Sequence, residues 1–267
     1  VSARPAELTS RIEAAKAAVL AQTGLLHAEF GRAESRWKSD GTRVTAVDLA
    51  ISENIFKALR SRFADDQLFS EELPAGAPVP VTSRFGWVLD PIDGTNNFAL
   101  GIPYCAISLA LIEDGEPVYG VVYDLSRRML MHGGPGFGMY DGERRAFVST
   151  EEPGPETLVG IHSPTDKALM PAAEAVLSKF KIRGLGSATL HLAYVAAGLF
   201  GGAVDFNLKI WDLAAAIPLC RAAGGVVVFL NCEPLPMRVF DLKMKPIIYV
   251  AGAPEMAKRL AGLVSTR

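Results

Sequence analysis

The chain has 267 residues, 49% apolar and 21% charged, which excludes wholesale disorder and suits one large domain or two fused halves. Its 29 acidic residues against 27 basic ones leave a net charge of −2, so no basic excess is available to grip a nucleic-acid backbone. No apolar run reaches the roughly 18 residues of a membrane span, nothing at the N-terminus reads as a secretory leader, and three scattered cysteines (Cys105, Cys220, Cys232) suit a reducing cytoplasm.

In chain order, Leu8, Ile12, Ala15 and Val19 stand at helical spacing, which predicts an amphipathic helix over 6–30. A polar loop, SRWKSDGTR, follows. Thr45 stands three residues before Asp48, a capping-box start for a second helix striped by Ile51, Ile55 and Leu59. QLFS reads as a short strand delivering Glu71 and Glu72, and residues 74–80 as a Pro/Gly loop. WVLD reads as a strand that breaks at Pro91. From 106 to 148, β-rich runs separated by Asp114-Gly115 and Asp141-Gly142 predict an antiparallel meander. Beyond it strands and helices alternate, with helices expected at 165–179, 187–198, 211–223 and 254–264. An α+β front half (1–152) and an α/β back half (153–267) are therefore expected, with a seam near 150–157.

The histidines form no metal-binding pair, so any metal falls to carboxylates. Three carboxylate clusters stand where strands end or helices begin: Glu71-Glu72, DPIDGT at 90–95, and Trp211-Asp212. In DPIDGT, Pro91 holds the chain extended after Asp90, and Asp93 can turn back beside it. Gly94 and Thr95 offer backbone N–H groups at a helix start, a natural phosphate seat. Carboxylates converging there would repel one another without a cation, and hard oxygen ligands suit Mg²⁺. GGPGFG at 133–138 imitates a dinucleotide loop, but β pattern rather than a helix follows it. Cys105 and Cys220 lie in apolar runs as core residues. His191 reads as a packed or surface histidine, and Trp211 as a packing anchor.

Glu71-Glu72, LDPIDGTNNF and WDLAAAIPLCRAAGG, with VTAVD at 44–48 and GSATLHLAYVAAG at 186–198, stand in the order and approximate spacing of the inositol monophosphatase family. The resemblance covers residues 8 to 260. It implies a layered α-β-α-β-α sandwich, Mg²⁺-dependent and lithium-sensitive hydrolysis of phosphomonoesters, and a homodimer acting on a small phosphorylated metabolite. Carried over residue by residue, it implies that Glu71, Asp90 and the Ile92 carbonyl hold one Mg²⁺, and that Asp90, Asp93 and Asp212 hold a second. Thr95 with Glu71 would orient and deprotonate the attacking water, and the Gly94 and Thr95 amides would receive the phosphate. Asp48 either helps a third metal or only caps its helix. Glu72 stands behind Glu71, and Lys38 is either a site lysine or a solvated loop residue.

The resemblance also implies that the Gly186-Ser187-Ala188 turn reads the substrate alcohol, together with an acid seven residues before Asp212. That acid is Asp205, where inositol-preferring members typically carry Glu. The shorter side chain weakens the case for inositol, and Lys209 and Ile210 depart from the usual stretch and would line the rim. Inositol-1-phosphate stays the first expectation, with histidinol phosphate next and fructose 1,6-bisphosphate a further possibility. A haloacid-dehalogenase-like mechanism is disfavoured because Asp90 and Asp93 are three residues apart rather than two. A catalytically silent regulatory member is the non-enzymatic alternative.

Overall fold

The structure is a computed structural model that describes residues 3–38, 41–74, 76–163 and 165–265. The expected first helix is two, α1 (Ala3–Leu20) and α2 (Thr23–Glu29). The Thr23 hydroxyl donates to the Leu20 carbonyl at 2.9 Å, the acceptor a continuous helix would give to Gly24. The expected polar loop instead forms an antiparallel pair, β1 (Ser35–Trp37) and β2 (Arg43–Thr45), with Ser39 and Asp40 lying outside the described residues. α3 (Ala46–Arg60) opens on the expected capping box: Thr45 Oγ1 accepts from the Val47 and Asp48 amides, and Asp48 Oδ2 accepts the Thr45 amide at 2.8 Å. Next come β3 (Gln67–Ser70), β4 (Val79–Pro80), β5 (Phe85–Asp93) and α4 (Thr95–Leu100). The meander is β6 (Ala106–Glu113), β7 (Glu116–Asp124), β8 (Met129–Gly134), β9 (Gly138–Asp141) and β10 (Arg144–Ala146). GGPGFG forms the β8–β9 hairpin, where a Cβ on Gly133 would lie 2.2 Å from the Gly138 carbonyl oxygen.

The back half runs β11 (Leu158–Ile161), α5 (Met170–Leu177), β12 (Lys181–Arg183), α6 (Ala188–Ala196), β13 (Gly202–Leu208), α7 (Ile210–Leu213) and α8 (Ala216–Ala222). It ends with β14 (Val226–Phe229), β15 (Val239–Phe240), β16 (Ile247–Gly252) and α9 (Pro254–Ser265). The single helix expected over 211–223 is thus α7 and α8. Pro218 has no N–H, and its ring would meet the Ala214 carbonyl in a continuous helix. A restart at Ala216 puts Pro218 in a first turn, where both problems vanish.

Two sheets organise these elements. The first has the order β10-β9-β8-β7-β6-β5-β3, antiparallel except for the parallel β3–β5 pair, and the second has the order β12-β11-β13-β16-β14. Trp87, Leu89, Ile107 and Leu109 pack from one face of the first sheet against α1 and α3. Val88, Ala106, Ala110 and Val122 pack from its other face against α6 and α8, which also cover the inner face of the second sheet. On the outer face of the second sheet, Val159, Val204, Phe206 and Val250 pack against α5 and α9. The result is the expected α-β-α-β-α sandwich, whose middle layer is shared by both sheets.

One irregularity positions the chemistry. β5 does not stop at Pro91 but runs on to Asp93 through a bulge. Asp90 lies opposite Ser108 and Asp93 opposite Ala106, so three steps on β5 match two on β6. In a regular strand residues three apart point to opposite faces, and the extra residue puts Asp90 and Asp93 on the same one. That face is the one Val88 shares, towards α6 and α8. Pro91, lacking a ladder donor, falls inside the bulge, where a missing N–H is tolerated.

The middle layer also approaches the first sheet closely. A Cβ on Gly120 of β7 would lie 1.8 Å from the Ala215 carbonyl oxygen at the α7–α8 break. Gly120→Ala should therefore lower stability by about 1–3 kcal/mol through overpacking. Urea denaturation will measure it, and an unchanged midpoint would mean that α8 lifts off the sheet freely.

Candidate active site

Glu71, Asp90 and Asp93 lie at the C-terminal ends of the parallel strands β3 and β5, and the first turns of α3 and α7 bring Asp48 and Asp212 to the same place. One carboxylate oxygen from each of Asp90, Asp93 and Asp212 lies within 4.8 Å of the others, as does one from each of Asp48, Glu71 and Glu72. Each of the three aspartates in the first group is held by hydrogen bonds. Asp90 Oδ1 accepts the Ile92 amide at 3.1 Å, and Asp212 Oδ2 accepts the Lys209 amide at 2.7 Å. Asp93 Oδ2 accepts the Ser187 hydroxyl at 2.7 Å and the Thr189 amide at 2.6 Å, across from the α6 layer.

Thr95 Oγ1 lies 3.0 Å from Asp48 Oδ1 and 2.9 Å from the Ile92 carbonyl oxygen, and its single proton serves one of them at a time. Asp48 accordingly does more than cap its helix. Its Oδ2 holds Thr45 and its Oδ1 reaches Thr95, a partnership across 47 positions that the spacing did not reveal. Lys38 leaves the β1–β2 hairpin to meet Glu72 Oε1 at 2.6 Å and Glu71 Oε2 at 3.7 Å. Its ammonium is thus paired with both glutamates. Among the described residues no ammonium or guanidinium pairs with Asp90, Asp93 or Asp212.

Burial and like charge shift these acids in one direction. Loss of water, then the neighbouring Glu71 and Asp93, push Asp90 well above the usual carboxylate range. Burial raises Glu71 likewise, against the pull of Lys38. Asp48 is pushed up to about 6 and Asp212 to about 8, in both cases chiefly by desolvation. Burial alone would pull Lys38 down, but Glu71, Glu72 and Asp90 outweigh it and raise it. Buried carboxylates that resist ionisation side by side are what a divalent cation would relieve, and an all-oxygen donor set suits a hard ion.

The expected substrate-contact residues divide. Gly94 is left-handed (φ 91°), and a Cβ there would lie 2.9 Å from the Tyr104 carbonyl oxygen and 3.1 Å from that of Gly186, so the two glycine turns touch. Ser187 and Ala188 are buried, and the Ser187 hydroxyl donates to Asp93, orienting that carboxylate. Asp205, expected to offer a carboxylate to the substrate, instead lies among protein donors. Asp205 is fully buried, Oδ1 accepts the His162 amide, and Oδ2 accepts the Tyr249 hydroxyl at 3.2 Å with His191 Nδ1 at 3.5 Å. Lys209 is likewise not free on a rim, since its ammonium donates to the Met244 carbonyl, and Ile210 is buried. Cys105 and Cys220 are buried, and desolvation pushes both thiols up, Cys220 to about 12, as suits core residues. Trp211 packs on Phe240. Sequence reasoning missed Asn97, whose amide nitrogen donates to the Tyr104 and Leu185 carbonyls at 2.8 and 2.7 Å. A polar side chain buried between Thr95 and Phe98 was the available signal.

The model of the inositol monophosphatase family matches residues 5–266. The chain belongs to that family. It is 34% identical to inositol-1-monophosphatase ImpA of Mycolicibacterium smegmatis over 98% of this chain and 94% of the relative. It is also 34% identical to the Nus factor SuhB of Pasteurella multocida, over 73% of this chain and 74% of that protein. Among solved structures, the extragenic suppressor protein suhB of Bartonella henselae superposes with a TM-score of 0.83 at 27% identity, covering 95% of this chain and 98% of that one. The inositol monophosphatase family comprises phosphatases acting on small phosphorylated metabolites, and this member is a phosphoric monoester hydrolase with carboxylate clusters able to hold metal. No helix among its described residues is long and apolar enough to cross a membrane.

The raised acids give a pH dependence with a definite sign. Folded Asp48 and Asp212 keep their protons up to about 6 and about 8, whereas the unfolded chain releases them near 4. The folded state thus binds more protons in this window. Their contribution to stability is complete below about pH 4 and lost as pH rises through these values. In EDTA, the melting temperature should fall between about pH 5 and pH 8.5, and excess Mg²⁺ should remove most of that fall. A melting temperature in EDTA that climbs over this range would contradict the assignment of these shifts.

Proposed function

We propose that this protein is a Mg²⁺-dependent phosphomonoesterase of a small polyol phosphate, inositol-1-phosphate first. The observation that carries the reading is the convergence of Asp90, Asp93 and Asp212 beside the Thr95–Asp48 hydrogen bond. Glu71, Asp90 and the Ile92 carbonyl would hold one ion, and Asp90, Asp93 and Asp212 a second, with Asp48 and Glu72 available to a third. When bound, Mg²⁺ supplies a lowered water pKa and neutralises charge on the phosphoryl and leaving oxygens.

The chain's own groups supply the rest. Asp48 Oδ1 draws the Thr95 hydroxyl proton towards itself, leaving the Oγ1 lone pairs to accept a hydrogen bond from the attacking water. Glu71 is the base that takes the water's proton, and Lys38 and Glu72 keep that carboxylate oriented. The Gly94 and Thr95 amides receive the phosphoryl oxygens. The water oxygen bonds to phosphorus, and the bond from phosphorus to the alcohol oxygen breaks. The departing oxygen takes a proton from solvent water to leave as the alcohol beside inorganic phosphate, and Glu71 returns its proton to solvent. No covalent enzyme intermediate is required.

Two considerations support inositol phosphate. A relative covering nearly the whole chain is named an inositol-1-monophosphatase. The burial of Asp205 supports setting aside the length of its side chain as a reason against inositol phosphate. Histidinol phosphate and fructose 1,6-bisphosphate are the alternatives, and phosphate release from all three at equal concentration decides among them. A cytoplasmic homodimer inhibited by lithium belongs to the same reading, with sedimentation and a Li⁺ titration as its checks.

Asp90→Asn should lower turnover by about 10³-fold or more, equivalent to about 4 kcal/mol of transition-state stabilisation, because this carboxylate would serve both ions. Phosphate release under saturating Mg²⁺ measures it, and a variant keeping a tenth of the activity would exclude that role. Thr95→Ala should lower kcat while leaving KM nearly unchanged, since the backbone amide persists and only the water-orienting hydroxyl goes. Equal kcat in variant and parent would remove Thr95 from the mechanism.

A further inference from the structure

His191 on α6 is fully buried, and neither the proposed mechanism nor the core explains its polar atoms. Its Nε2 accepts the Leu185 amide at 3.0 Å, so in the neutral ring the proton resides on Nδ1. Nδ1 lies 3.5 Å from Asp205 Oδ2, a long contact that makes the Leu185 bond the firmer of the two tethers. Asp205 is in turn fixed by the His162 amide and the Tyr249 hydroxyl. The ring also sits where β11 has glycine, since a Cβ on Gly160 would lie 2.9 Å from His191 Cβ. Space on the neighbouring strand is thus kept open for an imidazole.

Leu185 is pinned from its other side too. Its carbonyl, in the following peptide unit, accepts from Asn97 on α4, so the backbone on both sides of the Leu185 Cα is held. Immediately after it, Gly186 turns through the left-handed region (φ 76°), and Ser187 caps α6 through the Leu190 amide while its hydroxyl grips Asp93. A continuous series of bonds therefore runs from Asp205 through His191 and Leu185 to Ser187 and the Asp93 carboxylate.

We propose that His191, tethered to Leu185 and backed by Asp205, is a positioning residue that holds the 184–187 loop, and through Ser187 the Asp93 carboxylate, in its working arrangement. The proposal rests on the phosphatase reading only where it concerns turnover. Asp205 thereby acts on catalysis from behind the loop and independently of the substrate's alcohol.

The test uses three substitutions of different reach in the whole protein. His191→Gln can bring its amide oxygen close to where Nε2 now stands and keep the Leu185 bond. His191→Asn reaches only as far as Nδ1, and His191→Phe fills the volume with no polar atom. In EDTA, exchange of the Leu185 amide, followed by NMR, should be near parental in the Gln variant. It should be about tenfold or more faster in the Asn and Phe variants. With Mg²⁺, kcat should fall about tenfold or more in Asn and Phe, by the same factor on an aryl phosphate as on inositol-1-phosphate, with Gln restoring most of it. Should the variants not fold, ¹⁵N spectra of the parent's imidazole read the tautomer directly, and a proton on Nδ1 with a bare Nε2 is expected. A proton on Nε2, equal exchange in all variants, or turnover in the Phe variant equal to that in Gln would overturn the proposal. Failure of the parent to hydrolyse any phosphomonoester would instead overturn the phosphatase reading, leaving the amide-exchange and tautomer results to stand.

Discussion

Buried negative charge is the constraint to which the rest of this structure answers. Six carboxylates from four separate stretches of chain meet at the ends of two parallel strands, and the lysine that approaches them pairs with only two. Leaving such groups half-hydrated and mutually repelling costs free energy that a folded chain has to offset elsewhere. The described residues do so by fixing orientation more than by neutralising. In Asp90, Asp93 and Asp212 alike, the backbone and hydroxyl donors land on a single oxygen of each carboxylate. The second oxygen is thereby aimed without being consumed. An unspent oxygen on each of three converging acids suits a hard cation.

Holding this arrangement requires both halves of the molecule at once. The bulge in β5 turns Asp90 and Asp93 towards the middle layer, where Ser187 and Thr189 meet Asp93 and α7 presents Asp212. From the opposite side of the first sheet, α3 brings Asp48 to Thr95. Packing and chemistry are accordingly coupled. The close seating of Ala215 over Gly120 fixes the connection between α7 and α8, and α7 carries Asp212. A loss of packing there moves a carboxylate as well as a methyl group.

Much of this was legible in the residues. The capping box at Thr45, the meander after Ala106 and the strand–helix alternation after Leu158 follow from short-range chemistry and appear where expected. The gathering of Asp90, Asp93 and Asp212, which only the family resemblance implied, is found as well. Two helix interruptions were missed for local reasons. Pro218 lacks the donor and crowds the carbonyl of the preceding turn, and the Thr23 hydroxyl takes the Leu20 carbonyl, effects that apolar periodicity does not register. The bulge at Pro91 was misread as a strand end because the residue that denies the ladder a donor also permits the strand to continue past it. Long-range pairings such as Thr95 with Asp48 and Leu185 with His191 were beyond any local reading, because nothing in the chain's own order marks them.

Asp205 shows how spacing and orientation can diverge. Seven residues before Asp212 is the position of a substrate-reading acid by resemblance, and that reasoning used only distance along the chain. Direction was available from β13 itself. Val204 and Phe206 are apolar and pack outward against α5 and α9, so alternation turns Asp205 inward, to the face Ala203 shares with α6. A carboxylate on that face must find donors or remain unsatisfied, and it finds three: the His162 amide, the Tyr249 hydroxyl and the His191 imidazole. A fully buried acid with both oxygens on the protein's own donors is occupied within the fold. On the proposal made above, the contribution of Asp205 to turnover passes through His191 and the loop it supports, and is blind to which alcohol the phosphate leaves.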